Sequence, residues 1–161
     1  RASIVAAGDI LKGTLPVLAV RSLADQDGAA SASWWEVAAA LFAVIGATRS
    51  VWVGFKGGRG IATGFGTALA IAPLPLAAVA PVFLVVIWRT KIVSLGSLAA
   101  AALFAPALIA IDLATTASLD SALVAYGVVG PALVWVAHAD NITRLRGGTE
   151  RRFDTGLLRR D

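Results

Sequence analysis

The chain has 161 residues, 58% of them hydrophobic and 15% charged, with a formal net charge of +4. A mean hydropathy of +0.80 leaves too little polar surface to cover an ordinary soluble domain, so lipid is the expected solvent. The absence of cysteine excludes disulfides and thiolate metal sites, and the absence of methionine points to an incomplete N-terminus.

Six apolar segments follow in chain order: residues 3–20, 34–45 with a continuation toward 53, 61–73, 76–88, 95–111 and 122–137. Asp9 and Lys12 interrupt the first, which therefore does not read as a cleavable signal peptide. A polar loop over 22–33 carries Asp25 and Asp27. A full span takes roughly 20 residues, so the third and fourth segments look short. They are expected to tilt, to break at Pro73, Pro75 and Pro81, or to extend into their loops. The fold expected is all-α, a polytopic membrane bundle forming a single integral domain over residues 1–161. Residues 139–161 form a basic C-terminal segment.

Placing the glycine-rich stretch 54–64 in the cytoplasm puts Arg1, Arg49, Lys56, Arg59, Arg89, Lys91 and the arginines after His138 on that side. The opposite loops hold no Lys or Arg, although Arg21 borders one of them. This asymmetry is the positive-inside pattern, and it accounts for the basic balance without nucleic acid. Trp34, Trp35, Trp52, Trp88 and Trp135 lie near segment ends, as interfacial aromatics do.

Four constellations fall on the proposed inner face or near it. In Gly54-Phe55-Lys56-Gly57-Gly58-Arg59-Gly60-Ile61-Ala62-Thr63-Gly64, closely spaced glycines expose backbone N–H groups, and two cations bracket Gly57-Gly58. Such a nest at a helix start binds anions. The plain alternative is an interhelical turn with inside-positive charge, and the spacing is not that of a nucleotide P-loop. In the segment from His138 to Glu150, His138, Asn141 and Arg144 fall on one face if the helix continues. The only histidine suits proton transfer near neutrality, or else it caps a helix at the interface. Asp9 and Lys12, three apart, read either as a mutually neutralised pair or as a brace for the phosphate pocket. Ser94 and Ser97 open an apolar helix, as N-caps or as phosphate ligands. One histidine without clustered carboxylates supplies too few ligands for a metal, and no cofactor is expected.

Occurring together and in this order, these motifs resemble the bacterial membrane glycerol-3-phosphate acyltransferases that use acyl phosphate as donor. The matching residues are Asp9-Ile10-Leu11-Lys12-Gly13, the loop from Gly54 to Thr63, Val93-Ser94-Leu95, and His138 to Glu150. The resemblance implies a seven-helix membrane fold of which this chain lacks the first helix, together with a Gly/Ser/Asn-rich motif bearing a functional serine and arginine. Two positions depart from the family pattern. Ala47 stands where His is frequent, and Arg59 where Lys is common, which keeps the charge but offers a planar fork.

The reaction implied is attack of a glycerol 3-phosphate hydroxyl on an acyl phosphate, giving lysophosphatidate and phosphate for phospholipid synthesis. His138 and Asn141 are the expected catalytic pair. Lys56, Gly57, Gly58, Arg59, Gly60 and Ser94 would hold phosphate, and Asp9, Lys12, Arg144 and Glu150 would support them. The partners implied are the two substrates, the bilayer of the bacterial inner membrane, and the soluble enzyme that makes acyl phosphate. A small-anion permease and an inactive truncated paralogue stay open. A permease would place its polar groups near the bilayer midplane.

Overall fold

The computed structural model describes residues 2–27, 32–49 and 57–153. Among these residues the chain forms seven α-helices and no strand: α1 (Ala2–Asp27), α2 (Ala32–Thr48), α3 (Ile61–Ile71), α4 (Pro73–Thr90), α5 (Val93–Thr116), α6 (Ser121–Ala137) and α7 (Ala139–Arg146). The all-α expectation is met. The six apolar segments read from the sequence are not confirmed as six spans. Among the described residues, α4 and α5 are long and apolar enough to cross a membrane, and the bent α6–α7 pair makes a third if taken as one span. α3 has only 11 residues, and the 26-residue α1 carries Asp9, Lys12 and Arg21 along its length.

Two boundaries differ from the sequence reading for physical reasons. α1 runs through the start of the expected polar loop, because Arg21 is tied down there. Its Nη2 meets Glu36 Oε2 at 2.5 Å and the carbonyl oxygen of Ala70 at 2.9 Å. α4 is not broken by its prolines. Pro73 opens the helix, where a missing N–H costs nothing, and Pro81 is carried inside it. Pro16, Pro106 and Pro131 likewise sit within helices, which packed apolar helices tolerate.

Small residues set the packing. A Cβ on Gly13 would lie 2.2 Å from the carbonyl oxygen of Thr63, and one on Gly66 would lie 2.1 Å from that of Ile10. α1 and α3 therefore touch backbone to backbone, and the Thr14 hydroxyl donates across the contact to Gly66 O at 3.0 Å. Gly96 plays the same part between α5 and α4, where a Cβ would meet Phe83 O at 3.0 Å. The core centres on Val17, Val37, Ala68, Phe104, Leu108 and Tyr126. Large apolar side chains point outward instead, with Phe42 72% and Trp88 67% exposed, as a lipid-facing surface requires.

Candidate active site at one end of the bundle

The glycine-rich loop enters the described structure at Gly57. A Cβ there would lie 2.5 Å from the carbonyl oxygens of Ala47 and Thr48, so the loop backbone lies directly on the end of α2. Gly60 precedes α3 in the left-handed region, at φ 70°, a conformation that glycine takes without strain. No side chain caps α3, so its first N–H groups remain available to an anion. These residues line a cleft of about 910 Å³, together with Asp9, Lys12, Gly46, Ala47 and Thr63. Lys12 Nζ meets Asp9 Oδ1 at 3.0 Å while its side chain stays 72% exposed. The pair is thus both a neutralised couple and part of the cleft wall.

Arg59 connects this cleft to the far end of the sequence. Its Nη1 donates to the carbonyl oxygen of Ala137 at 2.5 Å and lies 3.7 Å from Asp140 Oδ2. The carbonyl at the end of α6 is one of those a helix terminus leaves unpaired, and the guanidinium satisfies it.

The helix does not continue straight past His138, as the shared-face reading supposed. α6 and α7 meet at 62°, with His138 at the corner. At the corner the Ile142 N–H donates to His138 O at 2.9 Å, so His138 opens α7 three residues before Asn141. His138 is 2% exposed, and its Nδ1 lies 2.8 Å from the carbonyl oxygen of Val134. A carbonyl only accepts, so Nδ1 carries the proton and Nε2 is the acceptor. Burial pushes the imidazole below its ordinary 6.5. The Val134 bond and Glu150 oppose that shift, and the Arg59 charge adds to it. His138 is therefore neutral at pH 7.

Gly147 and Gly148 then fold the chain back under α7. The N–H groups of Gly147, Gly148 and Thr149 donate to Thr143, Leu145 and Arg144 carbonyls, and Gly148 takes φ 67°. The return brings Glu150 inward, where it gathers three donors. Oε1 accepts from Ser94 Oγ at 2.7 Å and Asn141 Nδ2 at 2.6 Å, and Oε2 accepts from Arg144 Nε at 2.7 Å. Burial alone would raise this carboxyl. The bonds from Asn141, Ser94 and Arg144 and the Arg144 charge outweigh it and hold it at about 2. Asn141, 9% exposed, is left with a buried Oδ1 that has no partner.

Ser94, Asn141, Arg144 and Glu150 thus form one hydrogen-bonded cluster. Arg59 reaches Ala137 at the adjoining end of α6 and Asp140 just beyond it, and His138 feels the charges of both Arg59 and Glu150. Gly57, Gly58, Gly60, Asp9 and Lys12 line the cleft with Arg59. Lys56 lies outside the described residues. Ser94 spends its proton on Glu150, which competes with a direct bond to phosphate. No group of three or more His, Asp or Glu that could hold a metal occurs among the described residues. Sequence reasoning passed over Asp140, although it stands between His138 and Asn141. An apolar cavity of about 330 Å³, lined from α2, α3, α4, α5 and α6, lies between the apolar helices, where the sequence reading puts the acyl tail. Ile61 borders both spaces, and Val134, whose carbonyl holds His138, lines the apolar one.

A sequence model of the glycerol-3-phosphate acyltransferase family matches residues 1–148. A glycerol-3-phosphate acyltransferase of Geobacter sulfurreducens is 37% identical over 146 residues, covering 91% of this chain and 69% of its own length. One of Methylorubrum extorquens is 42% identical over 148 residues, covering 90% and 64%. The chain thus spans about two thirds of the length of these relatives. Among solved structures, the crystal structure of PlsY, an integral membrane glycerol 3-phosphate acyltransferase, superposes in its glycerol 3-phosphate form with a TM-score of 0.80. The identity is 29%, over 99% of this chain and 74% of that one. Its lysophosphatidic acid form gives a TM-score of 0.77 at 30% identity, over 95% and 72%.

Proposed function

The chain belongs to the glycerol-3-phosphate acyltransferase family, and we propose from that premise that it transfers an acyl group from acyl phosphate to glycerol 3-phosphate in a cell membrane. The resemblance read from its motifs is borne out at the level of the family. The hydroxyl oxygen attacks the acyl carbonyl carbon, the carbonyl–phosphate C–O bond breaks, and lysophosphatidate and inorganic phosphate leave. The donor is a mixed anhydride with a good leaving group. The protein's task is to orient two phosphates and hold developing negative charge rather than to supply a nucleophile.

The observation that carries this reading is the buried, unpartnered Asn141 Oδ1, three residues after a neutral His138 whose Nε2 is an acceptor. An orphaned buried acceptor costs about 1–3 kcal/mol, and a substrate hydroxyl is the donor that would relieve it. His138 Nε2 orients the same hydroxyl and accepts its proton as the carbonyl is attacked. Arg59, the N–H groups of Gly57, Gly58 and Gly60, and Lys56 hold phosphate. Asp9 and Lys12 brace the cleft. Glu150, fixed by Ser94 and Arg144, keeps the Asn141 amide turned so that Oδ1 faces the substrate. The acyl tail occupies the apolar cavity, which puts its carbonyl at the level of Val134 and His138.

On this reading residues 1–161 are one integral membrane domain of a bacterial inner membrane, with the site and the basic segment 139–161 facing the cytoplasm. A soluble acyl-phosphate-forming enzyme would deliver the donor there. A permease is disfavoured because the cluster gathers where α3 and α5 begin and α6 ends, at one end of the bundle. The test is to incubate the purified protein in detergent with palmitoyl phosphate and glycerol 3-phosphate and to measure phosphate release. Palmitoyl-CoA serves as the control donor. Turnover with the phosphate and none with the thioester is expected; no turnover with either overturns the reading.

A further inference from the structure

The apolar cavity has a closed polar inventory. Its walls carry three polar side chains, Thr67, Ser97 and Tyr126, and each is already satisfied within the protein. Ser97 Oγ donates to Val93 O at 3.1 Å, Thr67 Oγ1 donates to Gly64 O at 2.9 Å, and the Thr67 and Tyr126 hydroxyls meet at 2.9 Å. No group in the cavity calls for a polar ligand, so its occupant is a hydrocarbon. Its span is set by the helices around it. From Ser97 and Val134 near the polar cluster to Phe104 and Tyr126 at the deep end is seven residues along α5 and eight along α6, about 10–12 Å at ~1.5 Å per residue.

The deep end is rigid. Tyr126 is 4% exposed and held from two sides, by the Thr67 hydroxyl and by the Phe104 ring packed edge to face at 5.9 Å and 83°. Near the mouth, by contrast, a Cβ on Gly64 would meet nothing within 4 Å, so the chain has room to enter there. We infer that Tyr126, pinned by Thr67 and Phe104, is the floor against which the acyl tail ends, and that it sets which acyl chain length is transferred best. The inference rests on the acyl-phosphate reading above and adds a specificity-determining residue to it.

The test compares kcat/KM for octanoyl, decanoyl, lauroyl and myristoyl phosphate, which bracket that span, at fixed glycerol 3-phosphate, for the wild type and two variants of opposite volume. Tyr126→Ala opens the floor and is expected to raise the lauroyl-to-octanoyl ratio about tenfold, the order given by burying two more methylenes. Ala101→Leu adds volume to the α5 wall between Ser97 and Phe104 and is expected to lower the same ratio. Loss of structure would depress all four donors together and would not move the ratio in opposite directions. If Tyr126→Ala does not fold, Ala101→Leu alone decides. Transfer with a chain-length ranking unchanged in the folded variants overturns the floor assignment and leaves the acyl-phosphate reading standing. A wild type that transfers none of the four chains fails at that earlier reading instead.

Discussion

Replacing Glu150 by Gln keeps the side chain's shape and removes its charge. In the wild type the carboxylate accepts from Ser94, Asn141 and Arg144 at 2.6–2.7 Å, and the side chain is 7% exposed. Bonds to a charged acceptor are worth about 1.5–3 kcal/mol each, against about 1 for neutral ones. The Gln oxygen still accepts from Ser94 and Asn141 at neutral strength, while its NH2 turns toward Arg144 Nε, donor against donor. Arg144 is 39% exposed, so water screens that clash and it adds little. The net loss is about 2 kcal/mol, felt where Asn141 is positioned. Glu150→Gln should therefore lower kcat/KM for acyl transfer about thirtyfold. The wild-type carboxyl, held at about 2 rather than its usual 4.5, gives its contribution in full above pH 4.5 and loses it as pH falls toward 2. The variant lacks that contribution at every pH. Phosphate release at saturating acyl phosphate, with the glycerol 3-phosphate concentration varied, reads the effect. A variant within twofold of wild type would refute the assignment of Glu150 as the group that turns Asn141.

Arg59→Ala removes both the bond to Ala137 O and the charge in the cleft. Acyl transfer should fall at least tenfold, about 1.4 kcal/mol in barrier, with recovery in part by Arg59→Lys. Because His138 is pushed below 6.5 and acts neutral, the rate should be flat above pH 7 and fall only as pH drops below 6.5. The His138→Gln variant should lack that acidic limb. Gly66→Ala forces α1 away from α3, since its Cβ would sit 2.1 Å from Ile10 O. Thermal unfolding in detergent should show a loss of about 1–3 kcal/mol, whereas Gly58→Ala, which meets nothing within 4 Å, should not.

Much of the fold is local, and that part could be read from the sequence. Gly60 precedes α3, where the third apolar segment of the sequence begins, and the last apolar run stops at Ala137, as α6 does. Hydropathy does not report where a helix ends when polar residues continue it. α1 runs on to Asp27 because Arg21 finds Glu36 and Ala70, contacts that no window along the chain contains. For the same reason hydropathy alone does not fix the number of spans. An apolar run of 11 residues such as α3 is a buried element packed on α1 and not a crossing by length. The site was legible as residue types and order, but not as connections. Glu150 read as one support among four, while its bond to Ser94, 56 residues away, makes it the centre of the cluster. The bend at His138 lies between two helices and the apolar cavity among five, and neither leaves a periodic trace in any one of them.

The central claim is that the glycine loop with Arg59 and the His138–Asn141–Glu150 cluster form a single site for one small anionic substrate. A structure of the protein soaked with glycerol 3-phosphate tests it most directly. The account predicts the phosphate against Gly57, Gly58 and Arg59, with a hydroxyl donating to Asn141 Oδ1 beside His138. A ligand that touches only one of these regions, with Asn141 Oδ1 still unpartnered, would contradict it.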